Sequence, residues 1–172
     1  MRIYVYVGLP RSGKSTLAKE YKKDDEVIVD CDKIRAMLVG GTAENSYKKE
    51  NEPIVWATFD ALVKSSISQQ KNIHIANTNC NLDILKKLME DLKKFNAQQN
   101  WANDTDFDLD FYWIIVDTPV GVCKQRALDS GQYSLLPVIE NMKKGFEIVV
   151  EEVEKSFHHY YILKVGGEQC RN

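Results

Sequence analysis

Eight residues near the start of the chain, GLPRSGKS at 8–15, match the pattern G-x-x-x-x-G-K-[ST] at every fixed position. They lie between an apolar run at 2–7 and a helix-like segment at 15–22, and this context is typical of a phosphate-binding P-loop. Glycines allow the backbone to turn successive N–H groups inward, where larger side chains would obstruct a phosphate. The stretch therefore predicts a nucleoside triphosphate site.

Separate chemical roles are expected within this loop. The Lys14 ammonium supplies a mobile cation for the phosphates, and the Ser15 hydroxyl is placed to ligate Mg²⁺. The N-terminus of the following helix adds the positive end of a dipole directed at the same anion. The residues expected to contact the nucleotide are Gly8, Pro10, Arg11, Ser12, Gly13, Lys14, Ser15 and Thr16.

A carboxylate and a guanidinium follow the second predicted strand. Asp32 and Arg35 are one helical turn apart and therefore on the same side of a helix. Asp32 is suited to accept the proton of an attacking hydroxyl, and Arg35 to grip an anionic part of the acceptor. Two alternatives stay open: Asp32 as a helix N-cap with Arg35 on the surface, and Asp30 as the base or Mg²⁺ contact.

The triplet Asn77-Thr78-Asn79 follows the third predicted strand, at 72–76. Its side chains offer uncharged donors and acceptors, which suit binding of an acceptor or ordering of Mg²⁺-bound water. Equally, the triplet is compatible with a turn in which Asn79 or Asn81 caps the next helix.

Arg126 lies on a helix that precedes a segment, 128–137, with few apolar anchors. The pattern predicts a lid whose positive charge closes over a transferring phosphoryl group. A solvated helix residue is the alternative.

The elements that must position these groups alternate between strands and helices, which predicts a single α/β domain with about five parallel strands, helices on both faces and a lid. The predicted strands are 2–7, 26–30, 72–76, 111–116 and 160–165. The predicted helices are 14–22, 32–38 opened by Asp32, 53–70, 82–95, one capped by Thr118 that begins at Pro119, and one that begins at Pro137. Residues 98–110 are predicted to be a surface connection. Ligands of such sheets bind beyond the carboxyl ends of the strands, where the polar groups above should converge.

The overall composition limits the classes of function. A chain of 172 residues is one domain in size, and its net charge of −2 produces no general attraction to nucleic acid, so such binding would need a local basic patch. The four cysteines form no C-x-x-C pair, which favours reduced thiols over a metal site. Without an apolar run of membrane length or a signal peptide, we expect a cytoplasmic protein without membrane contact.

Several motifs recur in a fixed order and together resemble the kinase domain of phage-type polynucleotide 5′-hydroxyl kinases and related P-loop kinases of the AAA-type, zeta-toxin-like group. The resemblance runs from Arg2 to about Phe146. The motifs are the P-loop, D-x-x-R (Asp32, Arg35), T-N (Thr78, Asn79), the D-x-P turn (Asp117, Pro119), the helix of Arg126, and P-V-I-x-x-M (Pro137, Val138, Ile139, Met142).

The resemblance implies ATP and Mg²⁺ as cofactors and transfer of the γ-phosphate to a nucleic-acid hydroxyl, foremost the 5′-OH end of DNA or RNA. It implies Asp32 as general base, Arg35 on the acceptor's phosphate and Arg126 as a lid arginine. Asn77 stands where such kinases often have aspartate, and Ser130 where they can carry a second lid arginine. Alternative acceptors are a hydroxymethylated base, a nucleotide or a small molecule. From another class, a nucleotide-binding regulatory module is the alternative to an enzyme.

Overall fold

The computed structural model describes residues 1–41 and 46–165, in which strands and helices alternate along the chain. The elements are β1 (Arg2–Val7), α1 (Lys14–Tyr21), β2 (Val27–Val29), α2 (Cys31–Val39), a 3₁₀ turn (Lys49–Asn51), α3 (Glu52–Ser68), β3 (Ile73–Ile75), α4 (Leu82–Asn103), β4 (Asp110–Asp117), α5 (Val120–Asp129), α6 (Leu135–Ser156) and β5 (Tyr160–Lys164). The stretch 42–50, which is polar in sequence, lies partly outside the described residues.

The described strands form one parallel sheet in the order β2-β3-β1-β4-β5. Ile3 of β1 is in register with Ile73 of β3 on one side and with Phe111 of β4 on the other. Central strands of a parallel sheet are covered on both faces, and this explains the nearly continuous apolar sequences of β1 and β4. The predicted five-stranded parallel sheet is confirmed.

Both faces of the sheet carry helices, as predicted. On one face Val5 and Trp113 belong to the large core that includes Phe59 of α3, Leu92 of α4 and Val149 of α6. The opposite face is covered in part by α1. There, the buried side chains are Tyr6, Ala18, Ala76, Ile114 and Val116. No helix among the described residues is long and apolar enough to span a membrane.

The N-cap of α2 differs from the sequence prediction. Asp30 is the cap, because its side-chain Oδ1 accepts a hydrogen bond of 2.9 Å from the Asp32 N–H, and the helix begins at Cys31. The prediction that Asp32 opens the helix was therefore wrong by two positions. Because Asp30 performs the capping, the Asp32 carboxylate is available for other contacts.

Two further helix starts were also predicted wrongly. Thr118 does not cap α5, which begins at Val120; its hydroxyl donates instead to the carbonyl oxygen of Ser12 at 2.8 Å. The last long helix begins at Leu135, two residues before Pro137. Proline is tolerated there because N–H groups in the first turn of a helix have no intrahelical acceptor.

Helix α4 continues to Asn103, so the surface connection predicted from 98 onward begins too early. The amide groups of Asn96 and Asn100 both donate to the carbonyl oxygen of Phe107, at 2.7 and 2.9 Å. These bonds fasten the last turns of the helix to the returning chain. Such a tertiary contact stabilises the helical conformation of residues whose polar sequence alone does not predict a helix.

A buried polar chain joins the three strands that lead into the site. His74 of β3 lies 2.8 Å from the Glu26 carboxylate through Nε2 and 2.9 Å from the Tyr6 hydroxyl through Nδ1. Glu26 also accepts hydrogen bonds from the Lys23 N–H and from Asn72. Burial alone would raise the pKa of Glu26, but these hydrogen bonds outweigh it and lower the pKa to about 2.

The low pKa of Glu26 predicts a loss of stability in acid. A carboxylate whose pKa is depressed in the fold contributes stability above its unfolded pKa, near 4.5, and this contribution disappears as pH falls toward 2. Glu26→Gln is expected to lower the free energy of unfolding at neutral pH by about 3 kcal/mol. Urea unfolding of both proteins between neutral pH and pH 3 checks this. A variant that loses stability in acid as steeply as the parent would contradict it.

Candidate active site

The polar groups predicted to converge do meet beyond the carboxyl ends of β1, β2 and β3. The Gly8 N–H, after β1, donates to the carbonyl oxygen of Thr78, after β3, at 3.0 Å. The Cys31 N–H, after β2, donates to Asn77 Oδ1 at 2.8 Å. Direct hydrogen bonds between the loops thus build one continuous site at this edge of the sheet.

The P-loop, residues 8–15, has a backbone conformation that depends on its glycines. Gly13 has a φ of 109°, in the left-handed region that glycine adopts most readily. At Gly8, a Cβ atom would lie 2.7 Å from Ser12 Oγ and 2.9 Å from the carbonyl oxygen of Val116, which is too close for any other residue. The loop therefore closes tightly on itself, as a phosphate cradle requires.

Lys14 places its ammonium inside this loop. The residue is only 6% exposed, and its Nζ donates to the carbonyl oxygens of Gly8 and Leu9 at 2.9 and 2.7 Å, and to Ser12 Oγ at 3.3 Å. Burial lowers the pKa of Lys14 to about 8, so it still carries its charge at neutral pH. Phosphate oxygens would compete with these neutral acceptors for the N–H groups of the ammonium. A hydrogen bond from the ammonium to a charged phosphate oxygen is stronger than one to a neutral oxygen.

Ser15 and Asp30 form a pair of hard oxygen donors beside the loop. Ser15 Oγ donates to Asp30 Oδ2 at 2.9 Å, while the other oxygen of this carboxylate caps α2. Within residues 1–41 and 46–165, no cluster of three or more His, Cys, Asp or Glu side chains could hold a metal alone. The pair fits Mg²⁺, which is commonly held by one or two protein oxygens together with water and phosphate oxygens.

Asp32 presents its carboxylate to solvent at the start of α2. The side chain is 66% exposed, and its Oδ1 accepts a hydrogen bond of 2.7 Å from Arg35 Nη1. Protein packed around its inner side, and then the charge of Asp30, raise the pKa of Asp32, whereas Arg35 and Lys14 oppose the shift. A carboxylate that is more basic than usual and open to solvent suits proton abstraction from a hydroxyl.

Arg35 is engaged by two carboxylates. Its Nε and Nη2 donate to both carboxylate oxygens of Glu52 at 2.7 and 2.8 Å, in addition to the contact with Asp32. The hydrogen bond with Glu52 raises the pKa of Arg35 and lowers that of Glu52. Sequence reasoning missed Glu52, because it lies 17 positions from Arg35 across a polar stretch and no spacing rule connects them.

The triplet 77–79 braces the site through its own hydrogen bonds. Asn79 adopts a positive φ of 52° and donates its amide to the carbonyl oxygen of Tyr6 at 2.7 Å. Asn81, not Asn79, caps α4 by accepting from the Ile84 N–H at 3.1 Å. Binding of an acceptor by Asn77, Thr78 and Asn79 stays a prediction.

Arg126, near the end of α5, lies against the P-loop. Its Nη1 donates to the carbonyl oxygens of Arg11 and Ser12 at 3.1 and 3.2 Å, and Arg11 donates back to the carbonyl oxygen of Arg126 at 3.3 Å. This reciprocal contact places the Arg126 guanidinium beside Gly13. A positive charge there is well placed to stabilise charge that develops on a transferring phosphate.

The predicted lid, 128–137, consists of the end of α5, a connection at 130–134 and the first turn of α6. The Ser130 hydroxyl donates to the carbonyl oxygen of Arg126 at 2.8 Å and so satisfies a carbonyl in the last turn of α5. Movement of this connection as a lid stays a prediction.

Arg126→Ala is expected to lower the turnover number for phosphate transfer by about 100-fold, because a positive charge directed at the transferring group is lost. Steady-state kinetics with saturating ATP would measure the effect. Lys124→Ala is the matched control, since Lys124 lies on the same helix but pairs with Glu140 away from the loop. Equal losses in the two variants would contradict a catalytic role for Arg126.

The parallel sheet and the P-loop at its edge together define a P-loop α/β domain. The profile of the AAA domain family AAA_33 matches residues 3–147, and the chain belongs to this family. A search of curated proteins finds no significant match.

Three solved structures are similar to this chain in fold. A chain of a Pnkp1/Rnl/Hen1 complex is 24% identical over 73% of this chain, with a TM-score of 0.57. A chain of the Pnkp1/Rnl/Hen1 RNA repair complex is 19% identical over 81%, with a TM-score of 0.56. A candidate kinase from Chloroflexus aurantiacus J-10-fl is 14% identical over 99% of this chain and 91% of its own length, with a TM-score of 0.60. The present chain spans 38% and 45% of the two complex components, so it corresponds to only a part of each.

Proposed function

We propose that this protein transfers the γ-phosphate of ATP to a hydroxyl group, with Asp32 as general base. The observation that carries the proposal is the position of the Asp30 carboxylate. One of its oxygens accepts from Ser15 of the P-loop and the other from the N–H of Asp32, both at 2.9 Å. One buried side chain therefore fixes the donor loop relative to the base that would activate the acceptor.

The donor half of the site fits ATP with Mg²⁺. Lys14 and the loop N–H groups would hold the phosphates, and Ser15 and Asp30 would hold the ion directly or through water. Bound Mg²⁺ would supply positive charge that stabilises the phosphate oxygens as ADP departs. The Cβ clash at Gly8 and the buried cation at Lys14 are features of this chain that support such a ligand.

In the proposed transfer, one bond to the γ-phosphorus forms and one breaks. The acceptor oxygen forms a bond to the γ-phosphorus, its proton passes to the Asp32 carboxylate, and the bond to the β,γ-bridging oxygen breaks. ADP leaves with the bonding electrons. Lys14 and Arg126, which both donate to carbonyl oxygens of the loop, would stabilise the negative charge on the transferring group.

For the acceptor we propose a hydroxyl of nucleic acid, foremost the 5′-OH end of DNA or RNA. The ordered set of motifs that resembles polynucleotide kinases supports this choice, and one of the structural neighbours comes from a complex named for RNA repair. A second candidate is an uncharged alcohol, such as a hydroxymethylated base, a nucleoside or a small molecule. The engagement of Arg35 by two carboxylates favours it, because the three side chains together carry a net charge of −1.

The acceptor is tested by incubating the protein with γ-labelled ATP and a panel of hydroxyl compounds. The panel contains 5′-OH DNA and RNA oligonucleotides, hydroxymethylated duplex DNA with 5′-phosphate ends, and free nucleosides. Label on the 5′-OH oligonucleotides is the expected result. Label confined to the modified duplex or to the nucleosides would support the second candidate, and the absence of label from every compound would refute the nucleic-acid proposal.

A further inference from the structure

The Arg35–Glu52 pair connects α2 to the first residue of α3. Both side chains are mostly enclosed, with 15% of Arg35 and 19% of Glu52 exposed. The contact is bidentate, at 2.7 and 2.8 Å, which is the geometry that fixes a guanidinium in both position and plane. The centroid of the Tyr47 ring lies 5.7 Å from Cζ of the Arg35 guanidinium. Glu52 therefore holds the Nε–Nη2 edge of Arg35, while Asp32 contacts Nη1.

Glu52 is itself well placed to hold this cation. It occupies the first residue of α3, where the positive end of the helix dipole stabilises a carboxylate. Its pKa is lowered by the hydrogen bond with Arg35, so it stays charged through the neutral range. The fork of Arg35 thus has one firmly anchored edge, and its Nη1 reaches Asp32 at 2.7 Å.

We propose that Glu52 is a positioning residue of the kinase reaction: it fixes Arg35, which in turn holds the Asp32 carboxylate toward the acceptor. In this arrangement Arg35 serves the base and does not bind a phosphate of the acceptor. The inference rests on the proposed function, in which Asp32 is the base, and it extends that function to two residues of the acceptor half.

The charges explain why Arg35 serves the base. An acceptor phosphate that bound the N–H groups of Arg35 not used by Asp32 and Glu52 would lie beside these two negative side chains. Repulsion between the phosphate and the carboxylates opposes that contact. An acceptor that brings no charge to this position meets no such obstacle.

The first test measures the order of Arg35 without using activity. In a ¹H–¹⁵N spectrum of the full chain, the Arg35 Nε–H is expected to give a sharp, slowly exchanging signal. Glu52→Gln, which keeps the size of the side chain and removes its charge, should broaden or displace that signal. Glu50→Gln removes an exposed charge two positions away and should leave it unchanged. An unchanged Arg35 signal in Glu52→Gln would overturn the positioning role.

The second test separates a positioning role from a general structural role. Glu52→Gln is expected to lower the turnover number by about 100-fold, since small misplacements of a catalytic group have effects of this size. The KM for ATP should not change. In an Asp32→Asn background the same substitution should cost about threefold or less, because the group that it positions has gone. A loss of the same size in both backgrounds would overturn the proposal.

The third test compares thymidine with thymidine 3′-monophosphate as acceptors. If Arg35 serves the base, Glu52→Gln lowers kcat/KM for both acceptors by the same factor. A loss about tenfold or more greater for the phosphorylated acceptor would show that Arg35 binds its phosphate, and would overturn that part of the inference. The failure of the proposed function is separate: the parent protein would then phosphorylate no acceptor, although the Arg35 signal would still depend on Glu52.

Discussion

Asp32→Asn is expected to lower the rate of phosphate transfer by about 1000-fold, the range typical of a general base. Asparagine keeps the size of the side chain and an oxygen that can accept the hydrogen bond from Arg35. What it removes is the basic group whose pKa is raised by burial of its inner side and by Asp30. The α2 N-cap should survive, because Asp30 supplies it.

Rapid-quench measurement of labelled product gives the rate, and calorimetric titration gives the affinity for ATP. The affinity should change by about twofold at most, since among the described residues no hydrogen bond of Asp32 reaches the P-loop. Asp91→Asn, an exposed change on α4 remote from the site, is the matched control. Transfer at the parental rate in Asp32→Asn would show that another group removes the proton, with Asp30 the first to examine.

Lys14→Met is expected to have an effect as large as that of Asp32→Asn. The expected loss is about 1000-fold in kcat/KM for ATP. Methionine fills a similar volume without a charge, so both the attraction for the phosphates and the stabilisation of the transition state are removed. It also leaves the carbonyl oxygens of Gly8 and Leu9 without the donor that they share. A modest fall in stability should accompany the loss of activity.

The two effects of Lys14→Met are separated by measuring ATP affinity, turnover and thermal unfolding on the same preparation. Lys19→Met, on an exposed position of α1, controls for the loss of a nearby positive charge. ATP binding and turnover that match those of the parent would contradict the position of Lys14 at the phosphates. If Lys14→Met is unfolded at the assay temperature, the parent is compared with Lys14→Arg instead, which keeps the charge but not the compact ammonium.

The P-loop was predictable because its signals are local. A strand, a glycine-bearing loop and a helix follow one another within residues 2–21, and each part has its own sequence pattern. The same holds for the buried strands β1 and β4, whose apolar runs indicate coverage on both faces. The order of strands and helices then predicted the parallel sheet, which the structure confirms.

The contacts beyond the P-loop were predicted less completely because most of them cross long stretches of sequence. Asp30 and Asp32 both suit an N-cap, and only the backbone conformation decides that Asp30 takes the role. The Thr118 hydroxyl was assigned to a helix cap, yet its acceptor is the Ser12 carbonyl on another loop. Glu52 meets Arg35 because α3 packs beside α2, and that packing has no signature at either residue.

The most direct measurement of the proposed phosphate transfer follows the fate of the γ-phosphate by ³¹P NMR. The parent protein, ATP with Mg²⁺ and a 5′-OH oligonucleotide are incubated together, and the phosphorus signals are followed with time. Phosphate transfer to the acceptor predicts one phosphomonoester on the oligonucleotide for each ADP formed, and loss of this signal in Asp32→Asn. ADP that appears with inorganic phosphate alone, whichever hydroxyl compound is offered, would contradict a kinase and indicate a nucleotide-hydrolysing module.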